Sequence, residues 1–120
     1  MVNKGEIDAA LGIHAKWRAR LETAIVAGRS EFIPAEVSKS DACDFGKWLR
    51  TLGGEDAKTA HYAKVKSFHA DFHTMAGKIL NMAVSGRKED AQKALEPGGE
   101  YARIAGKLVM AMNVWKESIK

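Results

Sequence analysis

His14, Cys43, His69 and His73 are the residues of this 120-residue chain whose side chains suit a soft or borderline metal ion. His69 and His73 stand four apart within a strong helical pattern, so their rings lie one turn apart on one face and can share an ion. Taken alone, that pair reads better as two polar residues at the edge of a buried stripe than as a metal site. His14 and Cys43 change the balance, because each falls on an apolar face where an unpartnered polar group costs on the order of a few kcal/mol. A shared ion satisfies all four. Three imidazoles and one thiolate are donors that close a tetrahedral zinc site, and a filled fourth position leaves no place for an activated water. Hydrolysis is disfavoured further because Ala70, Asp71 and Phe72 occupy the interval in which a His-Glu-x-x-His enzyme carries its base.

Cys43 is the chain's one cysteine and has no partner for an internal disulfide. By itself it also fits as a small buried hydrophobe. Its place near the start of a short helix, where unpaired N–H groups and the helix dipole favour a thiolate, suits a metal ligand. Oxidation of that sulfur would remove a ligand and weaken the hold on zinc.

The elements that must position these residues are all helical. Ile7, Ala10, Leu11, Trp17, Leu21 and Ile25 recur at three- and four-residue steps before Gly28, a first long helix that turns His14 inward. Residues 29–39 carry Pro34 and no sustained period, a connection with room for one short helical turn. Ser40 or Asp41 is placed to cap a shorter helix with Phe45, Trp48, Leu49 and Leu52 on its apolar side, ended by Gly53-Gly54. The longest helix runs from about Glu55 to Gly86 and carries both His69 and His73. Residues 87–96 form a further short helix, and Pro97-Gly98-Gly99 separate it from a last helix over Tyr101 to Ile119. No strand pattern and no repeat appear. The expectation is an all-α antiparallel four-helix bundle with an additional short helix, one domain over residues 1–120.

Several residues near the donors have secondary roles. Trp17, Phe45 and Trp48 are expected to wall the site and keep it dry. Gly46 admits close approach of another helix. Asp44 and Asp71 are either acceptors for ligand N–H groups or solvent-facing carboxylates, and spacing favours solvent. His61 has no partner at ligand spacing and is taken as exposed.

Three stretches, His14-Ala15-Lys16-Trp17, Cys43-Asp44-Phe45-Gly46-Lys47-Trp48 and His69-Ala70-Asp71-Phe72-His73, stand in this order in the chain. Together they resemble the chemoreceptor zinc-binding domain, whose Cys-x-Phe-Gly-x-Trp stretch is present in full; the likeness runs from about Ile7 to Ile79. The resemblance implies His14, Cys43, His69 and His73 as the Zn2+ ligands. It also implies a bacterial signalling module attached to chemoreceptors or diguanylate cyclases, usually homodimeric, that senses zinc or oxidants of the hypochlorous acid type. Gly53-Gly54-Glu55-Asp56 superficially matches a diguanylate cyclase signature, but Ala57 replaces the final aromatic and no alternating strand–helix pattern surrounds it.

Composition fits that picture. The net charge of +4 is spread among interleaved acidic and basic residues with no block to track phosphates, so nucleic acid is not an expected partner. No run of about 20 apolar residues exists and the first residues lack the order of an export signal, so neither membrane insertion nor export is expected and the location is cytoplasmic. The 120 residues hold no output domain, which leaves a piece of a larger receptor or a stand-alone protein acting on a separate partner. Two other functions remain open: a zinc metalloenzyme with a three-histidine site and Cys43 as catalytic or displaced ligand, and a metal-free helical interaction module with its histidines satisfied in the core.

Overall fold

The computed structural model describes residues 4–40, 43–52 and 58–119. Among the described residues six helices follow one another: α1 (Lys4–Ala27), α2 (Pro34–Val37), α3 (Asp44–Thr51), α4 (Ala60–Val84), α5 (Lys88–Leu95) and α6 (Glu100–Glu117). Among the described residues there is no strand.

Local chemistry sets most of the boundaries. Gly28, Gly86 and Gly98 adopt positive φ of 71°, 81° and 83°, a conformation that costs glycine little and that ends α1, α4 and α5 or the turn beyond them. Pro34 opens α2, where its missing N–H has no intrahelical partner to lose. Thr59 caps α4 by accepting a hydrogen bond from the Tyr62 N–H at 3.1 Å. The cap of α3 is Cys43, whose sulfur accepts from the Gly46 N–H, and this corrects the expected Ser40 cap. Asp41, Gly53-Gly54 and Glu55 lie outside the described residues.

Helix α4 is the axis of the molecule and packs against each of the other five. Eleven of its residues are buried, among them Val65, Phe72, Ala76, Ile79 and Leu80, in the three-and-four rhythm that gives a helix a wide apolar face. Helix α1 meets it with Ile7, Ala10, His14, Trp17, Leu21, Ala24 and Ile25, and α6 with Tyr101, Leu108, Met112 and Trp115. The three long helices make the body; α2 and α3 lie on α4, and α5 closes one end by touching α1, α4 and α6. The Tyr62 hydroxyl donates to the Leu49 carbonyl at 3.1 Å and ties α3 to α4. Among the described residues no helix is long and apolar enough to cross a membrane.

Candidate metal centre

The four donors named from the sequence meet at one point. One ligand atom from each of His14, Cys43, His69 and His73 lies within 4.8 Å of every other. His14 comes from α1, Cys43 from the start of α3, and His69 and His73 from successive turns of α4. The three histidines are 5%, 1% and 2% exposed, and Cys43 is half-buried.

Backbone carbonyls fix the histidine tautomers. The Nδ1 of His14 lies 2.7 Å from the Ala10 carbonyl oxygen, and the Nδ1 of His73 lies 2.9 Å from that of Val37. A carbonyl only accepts, so each Nδ1 carries the proton and each Nε2 keeps its lone pair. That Nε2 points into the cluster. His14 Nε2 is 3.1 Å from His69 Nε2, which in turn is 3.3 Å from Cys43 Sγ. His73 Nε2 is buried with no hydrogen-bond partner among the described residues.

Aromatic rings surround the donors. His14 meets Phe45 and Phe72 edge-on at 5.7 and 5.2 Å, and Phe45 meets His69 at 5.1 Å. Trp48 stacks behind Phe45 at 5.5 Å. Phe45 therefore walls the site as expected, with Trp48 one layer back. Trp17 does not: its ring packs on Phe32 at 5.2 Å, under the Arg20 guanidinium. Phe72 takes the place the sequence suggested for Trp17.

Burial controls the protonation states. Burial, with the charges of His73 and His14 adding to it, pushes His69 down to about 3, and burial pushes His14 down to about 4. His73 is lowered for the same reason, against the hydrogen bond to Val37. Burial raises the Cys43 thiol, and the Gly46 N–H only partly offsets it. The helix start therefore does not by itself make a thiolate here, contrary to the sequence expectation. At neutral pH the metal-free cluster is three neutral imidazoles and a thiol. Metal binding to it must release the thiol proton.

Zinc fits these residues. Bonds of roughly 2.0–2.3 Å at tetrahedral angles place ligand atoms about 3.3–3.7 Å apart, close to the separations His69 makes with His14 and Cys43. An ion would also partner the orphaned His73 Nε2. The carbonyls of Ala10 and Val37 perform the orienting task that carboxylates often perform for zinc-bound histidines. Asp44 and Asp71 are exposed instead. Sequence reasoning had no means of finding those two carbonyls, since every residue has one. His61 is half-buried, not exposed, in a groove between α4 and α6, and takes no part in the cluster.

Compared with known families, the chain matches the model of the chemoreceptor zinc-binding domain over residues 14–80, more than half of its length. The chain belongs to this family. The matched stretch begins at His14 and contains all four donors, whereas α5 and α6 of this chemoreceptor zinc-binding domain lie beyond it. No curated protein and no solved structure matches the chain.

Proposed function

We propose that this chemoreceptor zinc-binding domain holds one zinc ion through His14, Cys43, His69 and His73 and acts as a sensory module of bacterial signalling, not as an enzyme. The observation that carries the reading is the buried, unpartnered His73 Nε2 facing three other donors. An orphaned nitrogen in an apolar core costs on the order of 1–3 kcal/mol, and an ion removes that cost. Zinc, when bound, supplies a charge that keeps the Cys43 sulfur a thiolate.

Two inputs suit this arrangement: a change in zinc availability, and oxidation of the Cys43 sulfur by an oxidant of the hypochlorous acid type. Either one alters how α3 is held against α1 and α4, and the helix packing carries the change to an output. The output is a chemoreceptor or a diguanylate cyclase, on the same polypeptide or on a partner. The same proposal takes residues 1–120 as one cytoplasmic domain, with α1, α3, α4 and α6 as an antiparallel four-helix bundle, working as a homodimer.

The test is metal content by plasma mass spectrometry on tag-free protein, beside the variant His69→Ala/His73→Ala. About one zinc per chain in the parent and none in the variant is expected, as for a site closed by four donors. Equal zinc in both would overturn the ligand assignment. No metal in either, with melting unchanged by chelator, would favour the metal-free interaction module; hydrolytic activity surviving Cys43→Ala would favour the metalloenzyme.

A further inference from the structure

Helix α6 has two unlike faces. Tyr101, Leu108, Met112 and Trp115 are buried against the body, and Lys116 ties the helix to α1 through Asp8 at 2.6 Å. The opposite face carries Met110, 69% exposed, with Val114 at 48% and Val109 at 44%. On one side of Met110 and Val114 the shallow surface is lined by residues of α6 alone; on the other a groove separates them from Ala60, Lys64 and Phe68 of α4. Single exposed apolar residues are ordinary, whereas three grouped on one helix face mark a surface that another molecule covers.

The ends of this stripe decide what it fits. With about 3.6 residues per turn, Arg103, Gly106, Val114 and Glu117 all point within about 40° of the Met110 direction. Arg103 and Glu117 stand seven positions before and seven after Met110. Both are exposed, and neither makes an ion pair among the described residues. A second α6 running the opposite way, with a two-fold axis at Met110, sets Arg103 of each copy opposite Glu117 of the other. The same operation sets Val114 opposite Gly106, which has no side chain to obstruct it. A parallel pair would instead set Arg103 on Arg103 and Glu117 on Glu117, like charge on like charge. The stripe is thus complementary to itself in one orientation, and not to a partner of uniform charge.

We propose that this exposed stripe of α6 is the face on which two copies of the chain pair, their α6 helices antiparallel about Met110. It deepens the homodimer put forward above, on which it rests for its role in signalling, by assigning the surface and the orientation. One helix pair falls at the small end of interface sizes, so the dimer should dissociate on the order of 10 μM.

The test is sedimentation velocity of the full chain over about 1–200 μM, with circular dichroism for the fold and plasma mass spectrometry for zinc on the same samples. The parent should pass from monomer to dimer across that range, and at lower concentration in low salt, because the end contacts are charged. Met110→Glu opposes two carboxylates on the axis and should weaken association at least about tenfold. Arg103→Glu or Glu117→Arg alone sets like charges against each other at both ends and should weaken it several-fold. The double reversal Arg103→Glu/Glu117→Arg remakes both contacts and should bring association back to within about twofold of the parent. Val26→Glu changes the most exposed large apolar residue, which lies on α1, and should leave association unchanged.

A parent monomeric at the top of that range, a double reversal no better than either single one, or an equal loss in Val26→Glu with helical content kept would overturn the pairing. A dimer indifferent to every α6 variant sinks this face and leaves the homodimer standing. Zinc content is read separately, so a metal-free protein still tests the pairing and a zinc-loaded monomer sinks the pairing without touching the ligands.

Discussion

The donor cluster has two unlike sides. His14, His69 and His73 project from helices of 24 and 25 residues, are buried among Phe45 and Phe72, and in two cases are tethered by a backbone carbonyl. Cys43 caps an eight-residue helix whose main packing is against α4, and it is only half-buried. The difference divides the cluster: the histidine side is buried in the body of the bundle with two of its rings held by carbonyls, and the cysteine side is its more exposed edge.

Removing a donor from each side is the sharpest way to break that comparison. His73→Ala should weaken zinc binding by at least about a thousandfold, since it deletes a preorganised ligand and its tether together. Cys43→Ser should also weaken zinc but leave the helical content and melting of the metal-free protein close to the parent's. Competition with a chromogenic chelator gives the affinities and circular dichroism the melting. If Cys43→Ser unfolded the chain while His73→Ala did not, the two sides would have been assigned the wrong way round.

Acid tests the histidine side alone. In the unfolded chain the imidazoles titrate near 6.5, whereas in the metal-free fold His14 and His69 are held down to about 4 and about 3 by burial. Between pH 6.5 and 4 the unfolded state therefore binds more protons than the native state, and stability falls as pH falls. Each such group contributes about 1.4 kcal/mol per pH unit at most, so the urea midpoint of metal-free protein should drop steadily from pH 7 to 4.5. A midpoint constant over that range would mean that these imidazoles are not held neutral by burial.

Gly77 probes the support behind His73. A Cβ at this position would meet Ser38 Oγ and, at 3.0 Å, both Ser38 Cβ and the Pro34 carbonyl oxygen, so α2 must shift. Val37 lies on α2, and its carbonyl holds His73 Nδ1. Gly77→Ala should then loosen zinc by roughly ten- to a hundredfold, the usual effect of disturbing a ligand's orienting partner. Titration of the same chelator checks it. Unchanged affinity would show that the Val37 carbonyl does not position the ring.

The donors were legible because His and Cys are rare types whose positions could be set against a helical period: His69 and His73 by their four-residue step, His14 by its place between Leu11 and Trp17. The helices were legible for the same reason, and so were Gly28 and Gly86 at the ends of the two longest. What escaped needed the third dimension. Cys43, not the stronger capping residue Ser40, caps α3, and its sulfur also lies 3.3 Å from His69 Nε2 on another helix, a contact no local pattern reveals. The thiol is raised because burial outweighs the helix start, and burial is not a local property. Trp17 follows His14 by one turn, yet that turn faces Phe32 in the connection after α1, not the donors. His61 is drawn into a groove by α6, more than 40 positions along the chain.

The smallest expected effect is a control on a helix that carries none of the donors. Gly106 lies in the middle of α6, where an added Cβ would meet nothing within 4 Å, and α6 carries none of the donors. Alanine there removes the backbone freedom that glycine retains in the unfolded chain without touching a neighbour. Gly106→Ala should therefore raise stability by up to about 1 kcal/mol and leave zinc affinity unchanged. Gly77→Ala makes the same chemical change at a helix position packed against α2, and the two variants should move zinc affinity differently for that reason alone. If both weakened zinc equally, the effect would belong to helix stiffness in general; if only Gly77→Ala did, it would belong to the contact that holds His73.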